Sequence, residues 1–180
     1  MSDSEAAFAS LVDLAQRSRS AARGLPAQVD IRPHWSGIGF MLMGQRFAVP
    51  LGEVSEMLEI PPFTHLPGVQ PWVRGVANVR GRLLPLFDMA AFFGAQLTGG
   101  RKQRRVLVLE TETLYSGLMV DQVFGMQHFP TDQFQEEAGP VDAVIQPYTE
   151  GSYEHDGQRW TVFRPAFLAQ DPRFINAARS

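Results

Sequence analysis

The chain of 180 residues has no cysteine, and Lys102 is the one lysine among its 16 basic residues. Without thiols there is no disulfide framework, no thiolate nucleophile and no cysteine-based zinc site, which suits a reducing compartment. An excess of positive charge is also missing. The formal net charge is −3, so no overall basic field draws phosphate backbones, and nucleic acid is not expected as a partner. Long apolar runs are absent too: nothing approaches the roughly 18 residues that span a bilayer. The opening "MSDSEAAFASL" has neither a basic start nor a long apolar core, so a soluble, cytoplasmic chain without direct membrane insertion is expected. What the chain does have is core material. A hydrophobic fraction of 44% and an aromatic fraction of 11% are ordinary for a globular protein of one domain or of two small intertwined modules.

Recognisable catalytic patterns are equally scarce. His34, His65, His128 and His155 form neither an HxH nor an HExxH arrangement, which argues against metal ligation. Asp88, Glu110 and Asp121 do not fall into an acid/base pair, and Asp88 is placed to cap a short helix. Ser116-Gly117 lacks the GxSxG elbow, and "GGRKQ" lacks the spacing of a phosphate loop. No catalytic residue, cofactor site or metal site is assigned. The basic run "RKQRR" at 101–105 stands beside the apolar strand "VLVL", where charge discourages edge-to-edge association or offers a dock for an acidic partner. A small nucleic-acid-binding β-barrel is the alternative from another class, but it would need aromatic platforms and a positive field.

Local patterns predict a mainly β chain. Residues 4–23 read as a helix, with Ser2 and Glu5 spaced as a capping box and Phe8, Leu11, Val12 and Ala15 on one face. Gly24-Leu25-Pro26 stops it, and 25–34 reads as a linker, so the division expected is residues 1–34 and a domain over 35–175. In "GIGFMLMGQRFAVPL", Ile38, Phe40 and Leu42 alternate before a turn at Gly44-Gln45, and Phe47, Val49 and Leu51 alternate after it, predicting a half-buried hairpin. Val54, Met57 and Leu58 are at helical spacing, which predicts a short helix ended by Pro61-Pro62. Two strands meet at Arg80-Gly81, and Asp88 starts a helix that Gly94 closes. "VLVLE" and "LYSGLMV" form the next pair. A loop-like stretch runs from Pro130 to Pro147. A last hairpin then turns at Asp156-Gly157, and Pro165 opens a closing helix.

The chain also echoes itself. A shift of 76 lays Gly75, Gly81, Leu86 and Phe87 on Gly151, Gly157, Val162 and Phe163, and a shift of 69 lays Val54, Met57 and Pro61 on Val123, Met126 and Pro130. Two related small barrels account for both echoes. Arg80, at the turn end of an apolar strand, is either a solubilising turn residue or a fork of donors aimed at a carboxylate, with Glu53, Glu56 and Asp121 as candidate partners. The remaining apolar residues at element ends, Trp35, Trp72, Val54, Met57, Phe124 and Met126, are core or hydrophobic anchors for a partner.

The order "LGEVSEMLEI", "LPGVQPWVRGVANVRGRLLPLFDM", "RRVLVLE", "GLMVDQVFGM" resembles the CheW domain of bacterial chemosensory adaptors. Gly75, Asn78, Arg80, Gly81, Pro85 and Asp88 fall on that family's main block, and Gly117, Val120 and Asp121 on a second. Within the family the chain looks most like the adaptors of type IV pilus (twitching motility) systems. The resemblance implies two SH3-like five-stranded β-barrels with short helices, plus an N-terminal helix outside the family pattern. It also implies a non-enzymatic role: bridging the cytoplasmic tip of a methyl-accepting chemoreceptor to the regulatory domain of a CheA-type histidine kinase, within membrane receptor arrays. Val54, Glu56 and Gly75 match family positions for kinase or receptor contacts. Asn78 lies in the main block, Arg80 matches the arginine important for assembly and receptor coupling, and Val106 matches a receptor-groove position. The second barrel departs from the pattern: "VFRPAFL" replaces a Leu-Asp-x-x-x-Leu motif, and Arg164-Pro165 reverses the local charge.

Overall fold

The computed structural model describes residues 3–22, side chains through residue 19, and residues 32–176. Ser2 of the expected capping box, the Gly24-Leu25-Pro26 stop and most of the expected linker lie outside the described residues. Contacts divide the chain into one unit that holds helix α1 (Asp3–Ala22) and a second that begins at Pro33.

In the second unit the strands are β1 (His34–Leu42), β2 (Gln45–Pro50), β3 (Val54–Glu59), β4 (Val73–Val79), β5 (Arg82–Asp88), β6 (Arg105–Glu110), β7 (Tyr115–Val120), β8 (Gln122–Pro130), β9 (Phe134–Gln135), β10 (Thr149–His155) and β11 (Gln158–Phe163). The short helices are α2 (Met89–Phe92), α3 (Pro165–Ala169) and α4 (Pro172–Ile175). They form a six-stranded sheet in the order β8-β1-β2-β11-β10-β9 and a five-stranded sheet in the order β3-β6-β7-β5-β4. The chain lays β1 and β2 in the first sheet, builds the whole of the second from β3 to β7, and returns to finish the first. Only the parallel pairs β2 with β11 and β5 with β7 join segments that are not antiparallel neighbours.

The two sheets repeat one plan, with β8-β1-β2-β11-β10 matching β3-β6-β7-β5-β4. The sequence echoes fall on this symmetry. Gly75 and Gly151 sit at bulges in β4 and β10 with φ of 147° and 71°. Outside them, the Thr64–Val76 bridge has its counterpart in the Gln135–Ser152 pairing. The sheets are open, of five and six strands, in place of two closed five-stranded barrels.

Burial explains the runs of apolar residues. Leu107 and Leu109 of β6 join a core shared with Phe40, Phe47 and Val49 of the first sheet. Val106 and Val108, pointing the other way, join Leu84, Leu86 and Met119 inside the five-stranded sheet. Likewise Trp160 and Val162 of β11 pack with Ala48 and Phe129, while Phe163 turns into the shared core. Strands covered on both faces carry continuous apolar sequence. The β1–β2 hairpin is therefore buried on both faces, not half-buried as expected, and its turn falls at Met43-Gly44. Leu51 has left the strand for a 3-10 turn and is 37% exposed.

Two further expectations are corrected. Residues 54–59 form strand β3, not a helix, with Val54 opposite Leu109 and Glu59 opposite Arg105. A six-residue helix is too short to hold itself, whereas β6 supplies a whole ladder. The stretch 130–147 is not all loop: it contains β9 and 3-10 turns at Thr131–Gln133 and Gln146–Tyr148. Helix α4 was not anticipated, although Asp171-Pro172 is a cap followed by a first-turn proline; the Asp171 carboxylate accepts from Arg173 N at 2.8 Å. Phe174 of α4 lies against Trp72, Phe87 and Phe92, at ring-centroid distances of 6.0, 4.6 and 5.7 Å.

Candidate interaction site

The edges of the five-stranded sheet are β3 and β4. Across that open seam the Arg80 guanidinium meets the Glu56 carboxylate at 2.9 Å, the arginine side chain 81% exposed and the glutamate 20%. Glu56 is the carboxylate that answers the Arg80 fork; Glu53 and Asp121 are not. Local sequence sets the reach. Arg80 and Gly81 turn at φ of 53° and 79°, and Asn78 Oδ1 accepts from Gly81 N at 3.0 Å, so the side chain of Asn78 holds the hairpin tip. Alternation in β3 turns Val54, Glu56 and Leu58 inward and Ser55, Met57 and Glu59 outward.

A second pair lines the same cleft. Arg82 bonds Glu110 at 2.7 Å and lies 3.8 Å over the Tyr115 ring. The hydrogen bond from Arg82 holds the Glu110 carboxyl below the usual glutamate range, with the Ser55 hydroxyl adding to it, and the same bond raises Arg82. Ser55, Glu56, Val79, Arg80, Arg82 and Tyr115 thus border a cleft of alternating charge over an aromatic floor. As exposed ion pairs, its charges add little to stability.

Of the other expected site residues, Val54 is half-buried against the shared core. Gly75 is buried, and a Cβ there would lie 2.8 Å from the Thr64 carbonyl carbon. Val106 is fully buried at 0% exposure inside the five-stranded sheet. Val106, at the position that the resemblance gives as part of a receptor groove, packs beneath Leu58 of β3. Trp72 is core at 7% exposure, whereas Met57 and Met126, on the two outer strands, are 45% and 53% exposed. Sequence reasoning missed Leu83, which is 71% exposed on β5 beside Arg82. The signal was there, since Leu84 and Leu86 take the inner face and alternation sends Leu83 outward.

Residues weighed for chemistry have other tasks. Asp88 caps α2 through Ala91 N at 3.0 Å. Asp121 accepts from Met43 N at 3.1 Å and Thr98 N at 2.5 Å, pinning the β1–β2 turn to the segment before β6. His128 Nδ1 lies 2.7 Å from Ser36 Oγ. In the basic run, Arg104 and Arg105 donate to the carbonyls of Leu97, Lys102 and Arg104. Among the described residues no group of three or more acidic or histidine side chains could hold a metal ion, and no helix is long and apolar enough to cross a membrane.

Comparison with known proteins matches residues 36–173 to the CheW-like domain. Protein PilI of Pseudomonas aeruginosa is 52% identical over 178 residues, covering 99% of both chains. Chemotaxis protein CheW of Helicobacter pylori is 28% identical over 113 residues, which is 63% of this chain and 68% of that one. The crystal structure of scaffolding protein TtCheW from Thermoanaerobacter tengcongensis superposes with a TM-score of 0.65 at 22% identity, over 73% of this chain and 90% of the other. A bulged double-sheet fold, the Gly75–Asp88 block in register and this match over most of the length agree: the chain belongs to the CheW-like domain family.

Proposed function

We propose that the protein is a non-catalytic adaptor that couples the cytoplasmic tip of a methyl-accepting chemoreceptor to the regulatory domain of a CheA-type histidine kinase, in a chemosensory pathway controlling type IV pilus twitching motility. It acts in the cytoplasm and is recruited to membrane receptor arrays. The functional unit is residues 35–175, with residues 1–34 as an appended helix and linker. The observation that carries the reading is the Arg80–Glu56 pair across the open edge of the five-stranded sheet, flanked by exposed Met57 and Leu83. Charges held at an exposed sheet edge select the orientation of a partner. Val54, Glu56, Asn78 and Arg80 shape the contact surface, and Gly75 and Val106 shape the strands beneath. The relatives support it, since the scaffolding protein TtCheW shares the fold and PilI shares half its residues with this chain.

Calorimetry with the kinase regulatory domain and with a receptor-tip peptide tests the reading. Interfaces of this modest kind bind with dissociation constants of about a micromolar. Arg80→Asp and Val54→Arg should weaken at least one of the two associations tenfold or more. The first should leave urea stability within about 1 kcal/mol of the parent, because the ion pair is mostly exposed. Absence of binding by the unaltered protein to both partners refutes the adaptor role, and unfolding of Arg80→Asp refutes the assignment of Arg80 to the interface.

A further inference from the structure

Helix α1 has an apolar face that its own unit leaves open. Phe8, Leu11 and Leu14 are 69%, 65% and 60% exposed, and Val12 is 42% exposed. An isolated 20-residue helix is marginal in water, because helices in proteins are held mainly by burial of such a face. The polar residues beside the stripe indicate what covers it. Phe8, Leu11 and Ala15 follow the spacing of a coiled-coil seam, with Ser4 and Ser18 continuing it. Glu5, Val12 and Arg19 are each seven residues apart and form one column along its flank. Parallel pairing would set this column against the one that holds Ala7 and Leu14. Antiparallel pairing sets it against itself, so that reversal about Val12 places Glu5 of each copy opposite Arg19 of the other. The apolar seam closes in the same register, Leu11 of each copy facing Ala15 of the other and Phe8 facing Ser18.

The helix ends agree. Asp3 and Glu5 lie in the first turn and Arg19 in the last, so each acidic end meets a basic end, and the two macrodipoles oppose. Arg17 is held by Asp13 of its own helix at 2.9 Å, leaving Arg19 as the cation presented to the partner column. We propose that α1 is a self-recognition element, pairing antiparallel with α1 of a second copy of this chain through Phe8, Leu11, Val12 and Ala15 and the reciprocal Glu5–Arg19 contacts. One helix pair about 30 Å long is a small interface, so the association is weak and reversible, below the size of standard stable interfaces.

Sedimentation of the full chain over a concentration series tests this. The expected result is a rise in weight-average mass from that of one 20.0 kDa chain toward twice that value, with helical circular dichroism rising in parallel. Leu11→Asp should abolish the rise. Glu5→Arg alone and Arg19→Glu alone should each weaken it several-fold, and an equimolar mixture of the two should restore it, because opposite charges again face each other. Since the chain has no cysteine, orientation can be read by oxidation: Leu11→Cys mixed with Ala15→Cys should give a disulfide between the two variants, and Ala15→Cys alone should give none. A chain that stays monomeric at its highest soluble concentration overturns the proposal. So does a dimer that survives Leu11→Asp, or one in which Ala15→Cys links to itself.

Discussion

Gly75→Ala separates a family position that touches a partner from one that holds the fold. An alanine Cβ at Gly75 would lie 2.8 Å from the Thr64 carbonyl carbon and closer still to its oxygen, and the φ of 147° is one that L residues rarely adopt. The obstacle is backbone, which no rotamer change removes. Holding a non-glycine residue in such a conformation costs about 1–3 kcal/mol. Pushing Thr64 away would also break its reciprocal bonds with Val76, Thr64 N to Val76 O at 2.9 Å and Val76 N to Thr64 O at 3.0 Å. Each contributes roughly 0.5–1.5 kcal/mol net. Together these give a destabilisation of about 2–6 kcal/mol, a large part of the 5–15 kcal/mol typical of a domain. Urea unfolding followed by tryptophan emission measures it, with Gly52→Ala as the control, since a Cβ at Gly52 meets nothing within 4 Å. A loss below about 1 kcal/mol for Gly75→Ala would refute the reasoning. The bulge at Gly151 gives an internal repeat of the experiment: there a Cβ would lie 2.5 Å from Gln135 O, so Gly151→Ala should be damaging for the same reason.

Phe174→Ala should cost about 3–5 kcal/mol despite its place near the end of the chain, because Phe174 is 4% exposed and packs on Trp72, Phe87 and Phe92; a red shift of tryptophan emission should accompany the loss, and near-wild-type urea stability would refute the anchoring role. The Tyr148 hydroxyl donates to Asp171, and burial, then that bond, pushes its pKa up from 10.0 to about 12. A raised folded pKa means stability that is complete below the unfolded value and lost as pH rises toward the folded one. Stability should therefore fall between about pH 10 and pH 12, and Tyr148→Phe should flatten that fall; an unchanged alkaline profile in the variant would contradict the assignment.

The β3 segment and the Arg80 hairpin show how far local pattern carries. The Arg80-Gly81 and Asp156-Gly157 turns, the Asp88 cap and the Pro165 helix start are legible because each rests on the backbone preferences of neighbouring residues. Residues 54–59 misled because the spacing of Val54, Met57 and Leu58 fits a helix, and only the ladder offered by β6, some fifty residues away, makes the stretch a strand. Val106 shows a related limit: its apolar neighbours Leu84, Leu86 and Met119 come from β5 and β7 of its own sheet, which spacing along the chain does not place beside it.

By itself the sequence determined the turns, the alternation within strands, the doubling at shifts of 76 and 69, and the absence of thiol chemistry. These are properties of residue type and of near neighbours along the chain. Tertiary structure alone decided that the doubled halves exchange strands, so that β1 and β2 are completed by β8, β10 and β11. It alone chose Glu56 over Glu53 and Asp121 as the partner of Arg80. Strand partners and ion pairs join residues far apart in the chain, and their energies depend on what the intervening fold brings within a few ångströms, which spacing along the sequence does not encode.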